Sequence, residues 1–330
     1  MRVLFIGGTG IISTCASRRA VASGIELYLL NRGKHAVEVE GAHRLTADID
    51  DRSAVLAALG ELEFDAVVDW VAFAPEHVER DLEIFRKRTK QYVFISSASA
   101  YEKPPRSHVI TESTPLRNPY WDYSRNKIAC EDRLLSEYRQ TGLPVTVVRP
   151  SLTYDSVLPI AVGGWGCATL LDRLLAGRPI IVHGDGTSLW TVTHAEDFAK
   201  GFVPLLGHPR SLGQAYHITS DEVLTWNQIY ETIADALGVE ANIVHIPSDF
   251  IAEIEPAMAG GLLGDKAHSA IFDNTKIKTL VPDYVATIPF HIGIRRTIQW
   301  FRADASRWVV RPEVHAAMDR IIAAWQAKRR

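Results

Sequence analysis

The sequence predicts an α/β protein: a doubly wound parallel sheet joined to a smaller, interleaved α/β C-terminal part. Three observations carry that prediction. Short apolar and β-branched runs alternate with helix-period patterns through the first 150 residues. A glycine cluster directly follows the first apolar run. Beyond Arg149-Pro150 the alternation loosens without stopping.

The elements follow in order. Strands are expected at residues 3–6, 26–30, 43–46, 66–69, 92–96 and 145–148, with helices at 12–23, 51–59, 75–88 and 123–140 between them. Val3-Leu4-Phe5-Ile6 is apolar throughout, as a strand covered on both faces requires. After a Gly/Pro-rich stretch at 156–166, the pattern gives a helix at 169–176, a strand at 180–183 and a helix at 196–206. A strand at 215–218, a helix at 225–237 and two late helices at 292–303 and 312–328 complete the chain. The division this implies is residues 1–153, with a return segment at about 190–218, for the nucleotide-binding half, and 154–189 with 219–330 for the substrate-binding half.

Composition narrows the function classes. The 330 residues are 47% hydrophobic and 23% charged with a net charge of −3, and the cations are dispersed, which argues against a nucleic-acid binder. Three cysteines, Cys15, Cys130 and Cys167, form no CxxC and no disulfide framework. The longest uncharged stretches are too short or too glycine-rich for a signal core or a membrane span. These features point to a cytoplasmic protein with no membrane partner. No His-Glu-x-x-His occurs among the 12 histidines, so no metal site is expected, and no Gly-x-Ser-x-Gly elbow is present.

The run Gly7-Gly8-Thr9-Gly10-Ile11-Ile12-Ser13 lies between the first strand and the first helix. A glycine turn there can simply join strand to helix. In this order at the start of an alternating pattern, it reads as a cradle in which backbone approaches a pyrophosphate at a helix N-terminus. The second strand ends in Asn31-Arg32-Gly33-Lys34, with no acid to accept from a ribose 2′-hydroxyl. Two cations there favour a 2′-phosphate, hence NADP over NAD. Asp48-Ile49 follows the third strand, where a short acid can bond an adenine amino group.

Tyr123-Ser124-Arg125-Asn126-Lys127 places a phenol and an ammonium four residues apart on one helix face. Alone, that spacing marks an ordinary surface pair. The strand at 92–96 runs into Ser96-Ser97-Ala98-Ser99-Ala100-Tyr101, which sets hydroxyls at the carboxyl end of a parallel strand, where such sheets bind ligands. Together, residues 7–13, Ser97…Tyr123…Lys127, Arg149-Pro150 and Gly184-Asp185-Gly186-Thr187 with His194-Ala195-Glu196-Asp197 resemble the extended or atypical short-chain dehydrogenase/reductases, the NAD-dependent epimerase/dehydratases. The resemblance implies a Rossmann fold and a Ser-Tyr-Lys triad. Tyr123 would exchange the proton of a substrate hydroxyl and Ser97 would bond the same oxygen, with Ser96 and Ser99 as alternatives. Lys127 would hold the nicotinamide ribose and lower the Tyr123 pKa. Ala72 and Pro150 join Gly7, Gly8, Thr9, Gly10, Ile11, Ile12, Asn31, Arg32, Lys34, Asp48 and Ile49 as implied cofactor contacts. A homodimer built on the helices at 75–88 and 123–140 is also implied.

Where nucleotide-sugar members carry an arginine for the diphosphate, this chain has Trp190. An indole cannot neutralise a diphosphate but can stack on a sugar, or it can fill the interface between the halves. Phe73, Ser99, Tyr154, Trp165 and Trp190 are the substrate-side candidates, with Trp121 beside them. The expected function is an NAD(P)-dependent oxidoreductase or epimerase acting on an uncharged sugar, glycoside or polyol without a diphosphate. Two alternatives remain open: a nucleotide-sugar epimerase or dehydratase gripping phosphate through Arg178 or Arg295, and a non-catalytic cofactor-binding or RNA-associated protein.

Overall fold

A computed structural model describes residues 1–33 and 37–329. Seven strands form one parallel sheet: β1 (Arg2–Ile6), β2 (Glu26–Asn31), β3 (His43–Thr46), β4 (Ala66–Asp69), β5 (Tyr92–Ile95), β6 (Val145–Pro150) and β7 (Gln214–Ile218). Their order across the sheet is β7-β6-β5-β4-β1-β2-β3. The order reverses between β1 and β4, which opens a crevice at their carboxyl ends.

Alternate residues of each strand feed two separate cores. Val3, Phe5, Leu27, Leu29, Val68 and Val93 pack on one face against helix α1 (Ser13–Ala22) and a helix at Ala195–Phe202. Leu4, Ile6, Val67, Phe94 and Val147 pack on the other against α2 (Arg52–Leu59), α3 (Pro75–Phe85) and α4 (Asp122–Thr141). Local chemistry sets the helix ends. Asp51 caps α2 by accepting from Ala54, Pro75 opens α3, and Gly142 in the left-handed region closes α4.

The second half builds a third core around Trp190, Trp226, Tyr230, Ile180, Ile246 and Phe290. Its strands come in pairs: Leu152–Tyr154 with Val192–His194, Ile180–His183 with Ile243–Ile246, Leu189–Trp190 with Leu224–Thr225, and Val109–Ile110 with Ile271–Phe272. All but the strand at Ile180–His183 escape a sequence reading, because two to four residues paired across long separations leave no periodic pattern. The expected helix at 196–206 ends instead at Phe202 and continues as a 3₁₀ turn, Val203–Leu205, around Pro204. The expected strand at 145–148 runs on to Pro150, because its last residues pair with β7.

Candidate active site

Ile6, at the end of β1, lies in register with Leu30 of β2 and Asp69 of β4. Gly7, Asn31 and Trp70 therefore leave the sheet side by side at the switch point. Gly7 and Gly8 have φ of 95° and 92°, and a Cβ on Gly8 would lie 2.6 Å from Leu29 Cδ2. Neither position suits a side chain. The loop is braced from within: Ser17 Oγ donates to the Gly8 carbonyl at 2.7 Å, Thr14 Oγ1 to the Gly10 carbonyl at 2.7 Å, and the Gly10 N–H donates to Ser13 Oγ at 2.8 Å. Helix α1 starts with no side-chain cap, which leaves its first turn free to meet a phosphate.

A cleft of about 450 Å³ runs from this loop across the sheet edge. Gly7, Gly8, Thr9 and Gly10 form one end, Asn31 and Arg32 the flank beyond β2, and Asp48 and Ile49 the flank beyond β3. Arg32 is exposed, and Lys34 lies outside the described residues. Ile11 and Ile12 form the turn that leads into α1, and Pro150 ends β6 opposite Ile218. The glycine cradle, uncapped helix start and polar flanks fit a bound dinucleotide. Among the described residues, no three His, Cys, Asp or Glu side chains gather in a way that could hold a metal, and no helix is long and apolar enough to cross a membrane.

The polar core beside the cleft is layered. Buried Asp69 accepts from the N–H groups of Val71 and Ala72 at 2.8 and 2.9 Å and from the Tyr92 hydroxyl at 2.8 Å. This fixes the turn after β4 and aims the Ala72 carbonyl at Lys127, whose Nζ donates to it and to the Ile95 carbonyl, each at 2.7 Å. Burial, and then the neighbouring Asp69 carboxylate, push Asp81 well above the carboxylate range. Arg80 links that acid to Asp50 at the cleft wall.

Tyr123 stands above this layer. Its ring centroid lies 5.8 Å from Lys127 Nζ, and the same ammonium sits 4.6 Å from the Phe73 ring. Phe73 is 47% exposed and lines the dinucleotide cleft, not a separate substrate wall. Burial lowers Lys127 to about 8. Burial raises the Tyr123 phenol above its ordinary value, while a hydrogen bond with Ser97 pulls it down and Asp265 adds to the rise. The expectation that Lys127 depresses Tyr123 is therefore not met in this state, because the ammonium is spent on two carbonyls beneath the ring. Of the three candidate serines, Ser97 is the one that bears on the phenol's pKa. Ser99 is buried and bonded to Ser97 and to Ser124, and Ser96 is bonded to buried Glu131.

Two aromatic candidates are core residues. Trp190 is 2% exposed and packs 5.3 Å from Trp226, and Tyr154 is 1% exposed beside His194 and Phe290. Neither can line a substrate pocket without rearrangement, because the third core closes over both. Trp165 is 51% exposed, and Trp121 lies 4.9 Å from the Tyr123 ring. Arg178 is held by Asp319 at 2.7 Å. The sequence reading missed Asp69 and Glu131. Glu131 follows Lys127 by four residues on α4 and pairs with Arg149, a spacing that could have flagged it.

Known proteins resemble this chain in sequence and in fold. The model of the NAD dependent epimerase/dehydratase family matches residues 3–219. A 2'-dehydrokanamycin reductase from Streptomyces kanamyceticus is 26% identical over 290 residues, 86% of this chain and 80% of its own. A chloroplast stem-loop binding protein of 41 kDa from Arabidopsis thaliana is 28% identical over 266 residues, 76% of this chain and 67% of its own. The crystal structure of a Thermus thermophilus UDP-glucose 4-epimerase with NAD superposes with a TM-score of 0.71 at 21% identity, covering 92% of this chain and 99% of that one. With the family model spanning the whole sheet and the glycine cradle, the chain belongs to the NAD dependent epimerase/dehydratase family, enzymes of the short-chain dehydrogenase/reductase type.

Proposed function

We propose that the protein is an NAD(P)-dependent oxidoreductase or epimerase that acts through Ser97, Tyr123 and Lys127 on a sugar, glycoside or polyol-like substrate lacking a diphosphate. The observation that supports this reading best is the placing of the Tyr123 ring 5.8 Å from the buried Lys127 ammonium, which also sits 4.6 Å from Phe73, a wall of the dinucleotide cleft. The dinucleotide, when bound, supplies the hydride acceptor or donor.

The chain's own groups then have distinct tasks. Tyr123 Oη takes the proton from a substrate hydroxyl on oxidation and returns it on reduction. Ser97 Oγ bonds the same substrate oxygen and holds its lone pairs in line. Lys127, anchored by the Ala72 and Ile95 carbonyls, keeps a positive charge under the phenol. As charge develops on Tyr123 in the transition state, that ammonium stabilises it. Arg32 at the cleft flank favours NADP over NAD. The family's description names NAD, so the preference for NADP rests on Arg32 alone.

The absence of an arginine at the Trp190 position supports a substrate without a diphosphate, and the reductase relative acts, by its name, on 2'-dehydrokanamycin. Nucleic-acid binding draws less support. Of the basic cluster after α3, Arg86 pairs with Glu137, Lys90 with Asp65, and Arg88 donates to backbone carbonyls. The test is Tyr123→Phe. We expect redox turnover to fall by about 10²–10⁴-fold while dinucleotide affinity, read by fluorescence titration with NADP and NAD, stays unchanged. A variant turning over near the wild-type rate would overturn the assignment.

A further inference from the structure

One wall of the dinucleotide cleft is formed by the turn after β4 and the first turns of α3, through Trp70, Val71, Phe73, His77 and Arg80. The backbone donors of that turn are already taken. The Trp70 N–H donates to the Ile6 carbonyl at 3.2 Å, those of Val71 and Ala72 to Asp69, and that of Phe73 to His77 Nδ1 at 3.1 Å. Arg80 is occupied as well: Nη1 meets Asp50 at 2.5 Å, Nε meets Asp81 at 2.8 Å, and Nη2 is sealed from solvent.

His77 differs. It is the third residue of α3 and half-buried, and its Nδ1 reaches back to a backbone N–H ahead of the helix, as the Glu or Gln of a capping box does. An accepting Nδ1 carries no proton, so the ring's proton sits on Nε2 as a donor. Among the described residues that N–H has no partner, and the ring borders the cleft. An acid in this position would cap equally well but would set a negative charge against a diphosphate. Imidazole caps and presents a donor.

Its place along the cleft narrows what it meets. Phe73, whose N–H it accepts, sets its ring 4.6 Å from the Lys127 ammonium at one end. Arg80, one turn further along α3, is tied to Asp50, which adjoins Asp48-Ile49 at the flank beyond β3. His77 lies between these two, where a dinucleotide has its ribose and diphosphate, rich in oxygen acceptors. We propose that His77 is a dinucleotide-binding residue, its Nε2–H donating to an oxygen of the ribose–diphosphate section. This rests on a dinucleotide filling the cleft and is independent of the triad.

The test reads binding of NADP, NAD and ADP-ribose to the full chain by calorimetry, with thermal unfolding beside it. His77→Leu removes both cap and donor. His77→Glu supplies an acceptor for the Phe73 N–H but no donor. Titration at about 0.5 M salt, where the screening length is about 4 Å, limits through-space repulsion by the new acid. We expect both variants to bind the dinucleotide at least about tenfold more weakly, although only His77→Leu lowers the unfolding midpoint. ADP-ribose, which lacks the nicotinamide ring, should show the same loss. His77→Glu carries the test if His77→Leu does not fold. Wild-type affinity in either variant overturns the proposal; in His77→Glu it would show that the ring serves the helix start alone. A loss seen with NADP and NAD but not with ADP-ribose overturns it too, since the contact would then fall on the nicotinamide. If the wild type binds none of the three ligands, the dinucleotide reading of the cleft fails, and the role of His77 with it. Turnover of Tyr123→Phe bears on the triad alone.

Discussion

Lys127 is held on three sides by aromatic rings, Phe73, Phe94 and Tyr123, and from below by two carbonyls. Burial brings its pKa from an ordinary value of about 10.4 down to about 8. The group is charged below that value and neutral above it, so the support it gives to a developing phenolate fades as pH rises through 8. We expect kcat to show an alkaline limb near pH 8, with a plateau persisting past pH 10 as the contrary result. Stability should move the other way. Between about 8 and 10.4 the unfolded chain holds the proton that the native state has lost, so this residue's contribution rises with pH across that window. At this scale position was legible where one spacing decides it: Gly7 and Gly8 lie in the turn after β1, and Tyr123 and Lys127 lie together on α4. The sequence left Trp190 open between stacking and packing and set Tyr154 on the substrate side, since an aromatic side chain looks the same in a sequence whether it lines a pocket or fills a core. What decides between the two is the burial created by Trp226 and Phe290, which lie dozens of positions away.

The strand–loop–helix formed by β1, the glycine turn and α1 behaves as one device. Its geometry needs backbone at φ of 92° where Leu29 approaches from β2. Gly8→Ala sets a methyl against that leucine in a conformation that L-residues avoid. We expect a stability loss of about 1–3 kcal/mol and at least about tenfold weaker dinucleotide binding, measured by thermal unfolding and fluorescence titration. Unchanged affinity would show that the turn only joins strand to helix. Elements of this kind were legible because continuous apolar runs such as Ala66-Val67-Val68 and bounded helical patterns announce themselves locally. The helix at Pro312–Lys328 and the strand at Ile180–His183 keep the bounds the pattern implied. The two-residue strands around Trp190 were not legible, because each exists only through its partner. The same holds for the turn Leu262–Lys266, which side chains from distant elements hold in place, Asn118 on the Gly264 carbonyl and His183 and Trp226 on the Lys266 carbonyl.

Across the molecule, the third core has its own sensitivity to acid. His183 ends the strand Ile180–His183, donates Nε2–H to the Lys266 carbonyl at 2.8 Å and packs 4.8 Å from Trp226. Among the described residues its Nδ1 has no partner, and burial lowers its pKa to about 4. Between an ordinary value of about 6.5 and 4, the unfolded chain takes a proton that the native state refuses, so stability falls as pH drops through that interval. The loss amounts to roughly 3 kcal/mol and should be seen as a fall in the urea midpoint from pH 7.5 to pH 4.5 that is smaller in His183→Phe. An equal fall in both would assign the acid response elsewhere. The path of the chain has a different kind of consequence. Strand β6 is buried along its whole length, yet its outer edge is covered only by β7, which lies more than sixty residues later, at Gln214–Ile218. During synthesis from the N-terminus, the sheet therefore waits with an apolar edge open while the intervening segment emerges. A nascent chain halted before Gln214 presents that edge to any other strand, so this enzyme's exposure to aggregation, and its need of a chaperone, falls in that interval of translation and ends when β7 docks.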